Sequence, residues 1–305
     1  SGSIWVLAIL FIPLVFGLPY LYPWAHAGAA EGEFARQAWY LNTPFFILRS
    51  AVYFIIWIAL AWWVNRSIQR ASGDPAGNLI LRGRLQGLGA GGLILLLFTV
   101  FFASVDWLMS LEPHWISTAF GLVIGMSQVM TAMAFALLVL NLFPGLSLGR
   151  AWNNASTPVP YRDLGALTMT MVMGYAYVAF FQLLIQWAGN IPREVVYYTN
   201  RLNSGWVWLA IFVLLFQFAL PFVVLLSMRV RHNLRLLAWV GALLLVSNLV
   251  NLYWHVKPAF FPGHVTIHWI DIFMPIALGG LWLAAFFYTL RSRPALNPVE
   301  QAAID

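Results

Sequence analysis

Eight apolar runs take up most of this 305-residue chain. Each is roughly the twenty residues that a helix needs to cross about 30 Å of hydrocarbon. A backbone in lipid has no water to bond, and a helix satisfies its own N–H and C=O groups. The runs predict membrane helices at about 4–22, 43–64, 86–106, 117–142, 164–188, 204–228, 233–255 and 268–290. Composition agrees: the chain is 62% hydrophobic and 9% charged, with a mean hydropathy of +0.80, outside the range of soluble domains. The expected fold is all-α, a polytopic transmembrane helix bundle forming a single integral membrane domain over residues 1–305. Turn chemistry separates the runs at Ser72-Gly-Asp-Pro75, Pro144-Gly145, Asn153-Asn-Ala-Ser-Thr-Pro158 and Pro262-Gly263. The letters show no soluble linker and no clear repeat. The run from Ile4 has no basic segment before it and does not read as a signal peptide; residues upstream of Ser1 are expected.

Sixteen Trp and 23 Phe fit aromatic belts at both bilayer interfaces. The pI near 9.8 is no nucleic-acid signal, because the arginines sit in loops and form no basic face. With no cysteine, the chain itself holds no disulfide, cysteine-ligated iron–sulfur cluster or covalently attached haem.

The basic residues report topology. Loops after the second, fourth and sixth runs, with the C-terminal tail, hold Arg66, Arg70, Arg82, Arg84, Arg150, Arg162, Arg229, Arg231, Arg235, Arg291 and Arg293. The alternate loops hold Arg36, Arg193, Arg201 and Lys257, and Arg49 lies within a run. Both visible ends are therefore expected on the cytoplasmic side, with the Asp106–His114 segment opposite.

Ionisable groups inside or beside such runs are costly, and they mark proton or ligand sites or interhelical ties. Arg49 lies about two turns into the second run. It either lines a cavity and holds a carboxylate ionised, or forms a structural ion pair. Asp106, Glu112 and His114 cluster between the third and fourth runs, as a proton mouth or as a capped interfacial turn. Asn248, Asn251 and His255 share one helical face through i, i+3, i+7 spacing. With His268 and Asp271, His255 forms a grouping able to pass protons, since histidine titrates near neutral pH; the other reading is interhelical hydrogen bonding. Tyr175, Gln182 and Gln186 offer a polar lining in the fifth run, for a quinone carbonyl, a water chain or a helix–helix tie. The charged, tyrosine-rich segment Ile191–Arg201 reads as interface or partner-docking surface. Asn154-Ala155-Ser156 matches a glycosylation sequon in a loop assigned to the cytoplasm. Gly87-Leu-Gly-Ala-Gly-Gly92 lacks the lysine and strand of a phosphate loop and reads as close helix packing.

Three segments carry a resemblance that covers essentially the whole chain: Leu41-Asn-Thr-Pro-Phe-Phe-Ile-Leu-Arg49, Asp106-Trp-Leu-Met-Ser-Leu-Glu-Pro-His-Trp-Ile-Ser-Thr-Ala-Phe-Gly121 and Ile191-Pro-Arg-Glu-Val-Val-Tyr-Tyr198. In order and helix context they resemble the ActF-like membrane subunits of bacterial alternative complex III, a quinol:cytochrome c oxidoreductase, and more broadly the polysulfide-reductase (NrfD-like) membrane subunits. The resemblance implies two four-helix-bundle-like halves and an N-terminal helix pair ahead of the eight visible spans. It implies a bacterial inner membrane location and no redox centre in this chain. Menaquinol or another quinol, iron–sulfur clusters and haem c belong to partners: an ActC-like membrane paralogue, an ActB-like iron–sulfur subunit and cytochrome c subunits. It also implies proton translocation through half-channels, in respiratory or photosynthetic electron transfer. Arg49, Asp106, Glu112 and His114 match motif positions, whereas His255 and Asp271 come from the residue pattern alone.

Two other classes are weighed against this. A di-haem cytochrome b anchor needs at least two deep histidines per haem, and only His255 is deep. A stand-alone transporter favours inverted repeats and broken helices. Pro221 and Pro275 can break helices, but no repeat accompanies them.

Overall fold

The computed structural model describes residues 3–26, 34–71, 78–142 and 161–291. The turn-rich segments at 72–75, 144–145 and 153–158, the sequon, Arg150 and Arg293 lie outside the described residues. The fold is all-α. Among the described residues, seven helices are long and apolar enough to cross a membrane. Their sides are largely apolar and outward-facing, with Leu93, Phe98, Trp239 and Ile276 all more than half exposed. Apolar surface on this scale marks membrane contact rather than a soluble surface.

The chain divides into two compact units. Unit 1 is Ser1–Pro113 with Ile267–Asp305. It contains α1 (Ile4–Phe16), the one-turn α2 (Leu18–Leu21), α3 (Thr43–Ala71), α4 (Asn78–Trp107) and, from the far end of the sequence, the helix Trp269–Arg291. α3 packs along α4, and α1 packs against α3 and Trp269–Arg291. The first run differs from its predicted 4–22 span. Its continuous helix is 13 residues, about 20 Å at 1.5 Å per residue, short of the hydrocarbon thickness. Gly17 closes it by donating to the Pro13 and Leu14 carbonyls, and Pro19 opens the separate turn that follows. Hydropathy does not register that break, so the first expected span is a shorter apolar helix.

Unit 2 is His114–Thr266. Four membrane-length helices build it: α5 (Phe120–Leu142), α6 (Tyr161–Gly189), α8 (Val207–Leu226) and α10 (Leu234–Phe260). Between them run α7 (Pro192–Leu202) and α9 (Met228–Arg231). The core is Met130, Ala134, Leu137, Val172, Leu225, Leu237 and Leu244, all fully buried. α5 and α10 approach closely at Gly241, where a Cβ would stand 2.8 Å from the Ala134 carbonyl oxygen. Small residues permit this kind of backbone approach between membrane helices.

Two prolines shape unit 2. α8 takes a π-helical turn at Leu214–Ala219, just before Pro221. A proline has no N–H for the carbonyl four residues back and crowds it, here that of Gln217; single π turns absorb such mismatches. α10 does not stop at 255 as expected but continues through Pro258 to Phe260. The segment expected as a docking surface is itself a helix, α7. It has Pro192 at its first position, Glu194 in the first turn and Arg201 in the last, the arrangement that suits both helix ends.

Candidate functional site

Each unit holds one buried polar centre. In unit 1 it lies between α3 and the end of α4. Arg49 and Asp106 form a two-pronged pair: Nε donates to Oδ2 at 2.8 Å and Nη2 to Oδ1 at 3.0 Å. Tyr53, one turn along α3 from Arg49, donates its hydroxyl to Oδ2 at 2.7 Å. The third guanidinium prong, Nη1, donates to the Tyr40 carbonyl at 2.9 Å. The guanidinium carbon sits 3.9 Å from the Tyr40 ring centre and 4.2 Å from that of Phe45. Asp106 is fully buried, and the Arg49 side chain is 11% exposed. The desolvation of both charges is offset by this geometry: three donors serve one carboxylate, and two aromatic faces cover the cation.

The backbone around Asp106 is held from outside its own helix. The Ser110 hydroxyl donates to the Asp106 carbonyl. Tyr22 donates to the Trp107 carbonyl at 2.9 Å, and the Trp24 indole donates to the Ser110 carbonyl at 3.1 Å. Gln37 Nε2 donates to the Pro113 carbonyl at 3.0 Å. Glu112 ends the short 3-10 turn Met109–Leu111 and is half-buried. Burial and the neighbouring Asp106 carboxylate push the Tyr40 hydroxyl up to about 12, so it stays protonated at any physiological pH.

In unit 2 the polar face of α10 meets three different elements. Asn248 Oδ1 accepts from Gln217 Nε2 at 3.3 Å, in the π turn of α8. Asn251 Oδ1 accepts from the Tyr175 hydroxyl of α6 at 3.0 Å. His255 Nδ1 shares a 2.7 Å hydrogen bond with the Tyr197 hydroxyl of α7. From the first of these positions to the last is seven residue steps of helix, about 10 Å along its axis. The Tyr197 ring stacks on Trp115 at 3.7 Å and 11°, and the fully buried Arg201 guanidinium lies 3.5 Å from the Tyr197 ring centre. Arg201 also donates to the carbonyls of Trp254, Tyr197 and His255. Gln182 and Gln186 are buried nearby on α6, each with an amide atom lacking a hydrogen-bond partner.

No family model matches this chain, and no curated protein matches it.

The structure brings Arg49 and Asp106 together, and likewise Tyr175 with Asn251. The other expected members are divided between the two units. His114 belongs to unit 2 and is exposed, with its carbonyl accepting from Arg193 Nε at 2.9 Å. His268 and Asp271 belong to unit 1, whereas His255 belongs to unit 2. Asp271 Oδ2 accepts from the His268 backbone N–H at 2.9 Å, a local cap at the start of Trp269–Arg291. Sequence reasoning passed over Tyr53, Tyr40, Gln217 and Arg201. The i, i+4 step from Arg49 to Tyr53 was the available signal for the first. For Arg201 it was the i, i+4 step from Trp254 to Pro258. Among the described residues no group of three or more His, Asp or Glu side chains is placed to hold a metal ion.

Proposed function

We propose that this chain is a non-redox membrane subunit of a quinol:cytochrome c oxidoreductase of the alternative complex III type, handling protons beside a quinol-oxidising partner. The observation that carries the reading is the buried Arg49–Asp106–Tyr53 centre. A carboxylate held by a guanidinium inside an apolar helix pair takes up a proton only when that pair loosens, so it couples proton uptake to movement of α3 against α4. The resembling segments support the same reading, since Leu41–Arg49 and Asp106–Gly121 supply the two charges of this centre. Segments Asp106–Gly121 and Ile191–Tyr198 also supply the Trp115–Tyr197 stack.

On this reading the chain sits in a bacterial inner membrane with its visible ends cytoplasmic. It stands beside an ActC-like paralogue, an ActB-like iron–sulfur subunit and cytochrome c subunits. Those partners hold the iron–sulfur clusters and haem c and oxidise the quinol, while this chain supplies the protonatable network. A second reading, a purely structural anchor of the same complex, is favoured by one feature: every donor of the Arg49 centre described above is already satisfied.

One experiment separates the two. The complex is purified through a tag on this chain and reconstituted in liposomes, and proton release per quinol oxidised is followed for wild type and Asp106→Asn. Release beyond that of quinol oxidation itself, lost in the variant, supports the proton path. Equal release from an intact complex leaves the scaffold. Absence of cytochrome and iron–sulfur partners from the purified material removes the complex assignment altogether.

A further inference from the structure

We propose that unit 2 binds a neutral, lipid-soluble ligand whose head carries carbonyl or hydroxyl oxygens. It would sit in the cavity lined by Tyr175, Gln182, Tyr198, Asn251, Trp254 and His255. The site belongs to unit 2 alone and stands apart from the reading of Asp106.

The cavity has a volume of about 580 Å³, within the range of small-molecule sites, and its lining is mostly apolar with a few convergent polar groups. Its outer wall includes Tyr177, Phe180 and Leu214, which are 70%, 63% and 58% exposed. They lie on α6 and α8, two helices of membrane length, so the entrance opens toward hydrocarbon rather than water. A ligand entering there partitions from the bilayer.

The polar groups define the head. Tyr175 donates to Asn251 Oδ1, which fixes that amide and turns Nδ2 into a donor lacking a protein partner. The Trp254 indole N–H is a second such donor. The Gln182 amide N–H faces the Tyr198 hydroxyl oxygen, while its Oε1 has no hydrogen-bond partner. Gln182 therefore offers an acceptor beside the two donors. Gln182 is 2% exposed and Asn251 1%, so these are hydrogen bonds withheld from water in an apolar setting, which is costly unless a ligand makes them. Indole and amide N–H groups call for carbonyl, ester or hydroxyl oxygens, and the tyrosine and tryptophan faces suit a flat head.

Charge is excluded by the same lining. None of the described lining residues is Lys, Arg, Asp or Glu, so a phosphate, carboxylate or ammonium head would lose its hydration without a counter-charge. A quinone ring and the ester region of a diacylglycerol share the required chemistry.

The test uses the full chain in lipid nanodiscs, with a decyl-substituted benzoquinone and dioctanoylglycerol as probes and saturable binding read by native mass spectrometry. At least one probe is expected to bind at one per chain. Ala210→Phe, which fills the cavity from α8, is expected to abolish binding. Gln182→Leu is expected to weaken it at least tenfold. Without ligand, Gln182→Leu should unfold close to wild type, because it removes a buried amide whose oxygen is unpaired. Binding of the quinone alone assigns a ring head, binding of the glycerolipid alone an ester head, and mutual competition the shared chemistry. Absence of saturable binding by both probes, or wild-type affinity in Gln182→Leu, overturns the assignment.

Discussion

Arg201 supplies the donor that Pro258 withholds from Trp254. In an uninterrupted helix the Trp254 carbonyl accepts from the N–H of residue 258, and proline has none. Arg201 Nε reaches that oxygen at 3.2 Å, and Nη2 reaches the neighbouring His255 carbonyl at 2.9 Å. The last turn of α10 is thus completed by a side chain from α7. This places the His255 ring against Tyr197, itself one turn back from Arg201 on α7.

The first prediction tests that substitution of side chain for backbone. Arg201→Met leaves buried carbonyls unpaired and should lower stability by about 3 kcal/mol, one to two unmade hydrogen bonds. Adding Pro258→Ala restores an N–H four residues beyond Trp254. It should recover about 1 kcal/mol more in the Arg201→Met background than in wild type. Thermal unfolding of the four proteins in detergent gives the coupling. An equal effect of Pro258→Ala in both backgrounds would show that Arg201 does not serve this carbonyl.

The Arg49–Asp106 pair gives the second prediction. Removing one partner strands a buried charge, so Arg49→Leu should cost about 3–5 kcal/mol. Replacing both, as Arg49→Leu with Asp106→Leu, leaves an apolar contact and should cost less than the single change. The same unfolding assay decides this: a double variant less stable than Arg49→Leu would mean that the pair is worth more than the absence of a stranded charge.

The contrast between these two arginines explains what the sequence disclosed. Arg49 stands inside an apolar run, where a charge requires a partner, and Asp106 is the acidic residue at the edge of the next run. That Arg49 needs a buried carboxylate was legible because lipid tolerates few alternatives; that Asp106 is that carboxylate was not. Arg201 sits in a charged, tyrosine-rich segment between runs, where an arginine ordinarily meets water, so its burial was hidden. The existence of the seven long helices was legible because hydropathy tracks what lipid demands. The end of the seventh run was misplaced for a related reason, since Pro258 looks like a terminator unless its orphaned carbonyl finds a donor elsewhere.

Alkaline pH supplies the third prediction. Burial, then the Asp106 carboxylate, raises the Tyr40 hydroxyl from its ordinary 10.0 to about 12. A group whose folded value is raised contributes stability that is fully present below the unfolded value. That stability is lost as pH climbs through the folded value. Between pH 10 and about 12 the unfolded chain has released this proton while the folded chain keeps it, so unfolding gains ground. Tyr40→Phe has no proton to release there. Its melting temperature should therefore fall less steeply than that of wild type across this window, with the two curves parallel below pH 9. Parallel curves throughout would place the Tyr40 hydroxyl in water.

The contact of α5 with α10 carries the last prediction. At Gly241 an added Cβ meets the Ala134 carbonyl oxygen at 2.8 Å, a backbone atom that cannot swing aside. At Gly125, on α5, the same addition meets nothing within 4 Å. Alanine raises helix propensity equally at both positions, by about 1 kcal/mol, so propensity alone predicts two stabilising changes. Packing predicts opposite signs. Gly241→Ala must push two membrane helices apart along the core formed by Leu137, Leu237 and Leu244, and should lose about 1–3 kcal/mol. Gly125→Ala should be neutral or gain up to about 1 kcal/mol. Unfolding midpoints of the two variants measured side by side settle it. A stable Gly241→Ala protein would mean that α5 and α10 lie further apart than the Ala134–Gly241 contact requires, and that the polar face of α10 is not pinned by this approach.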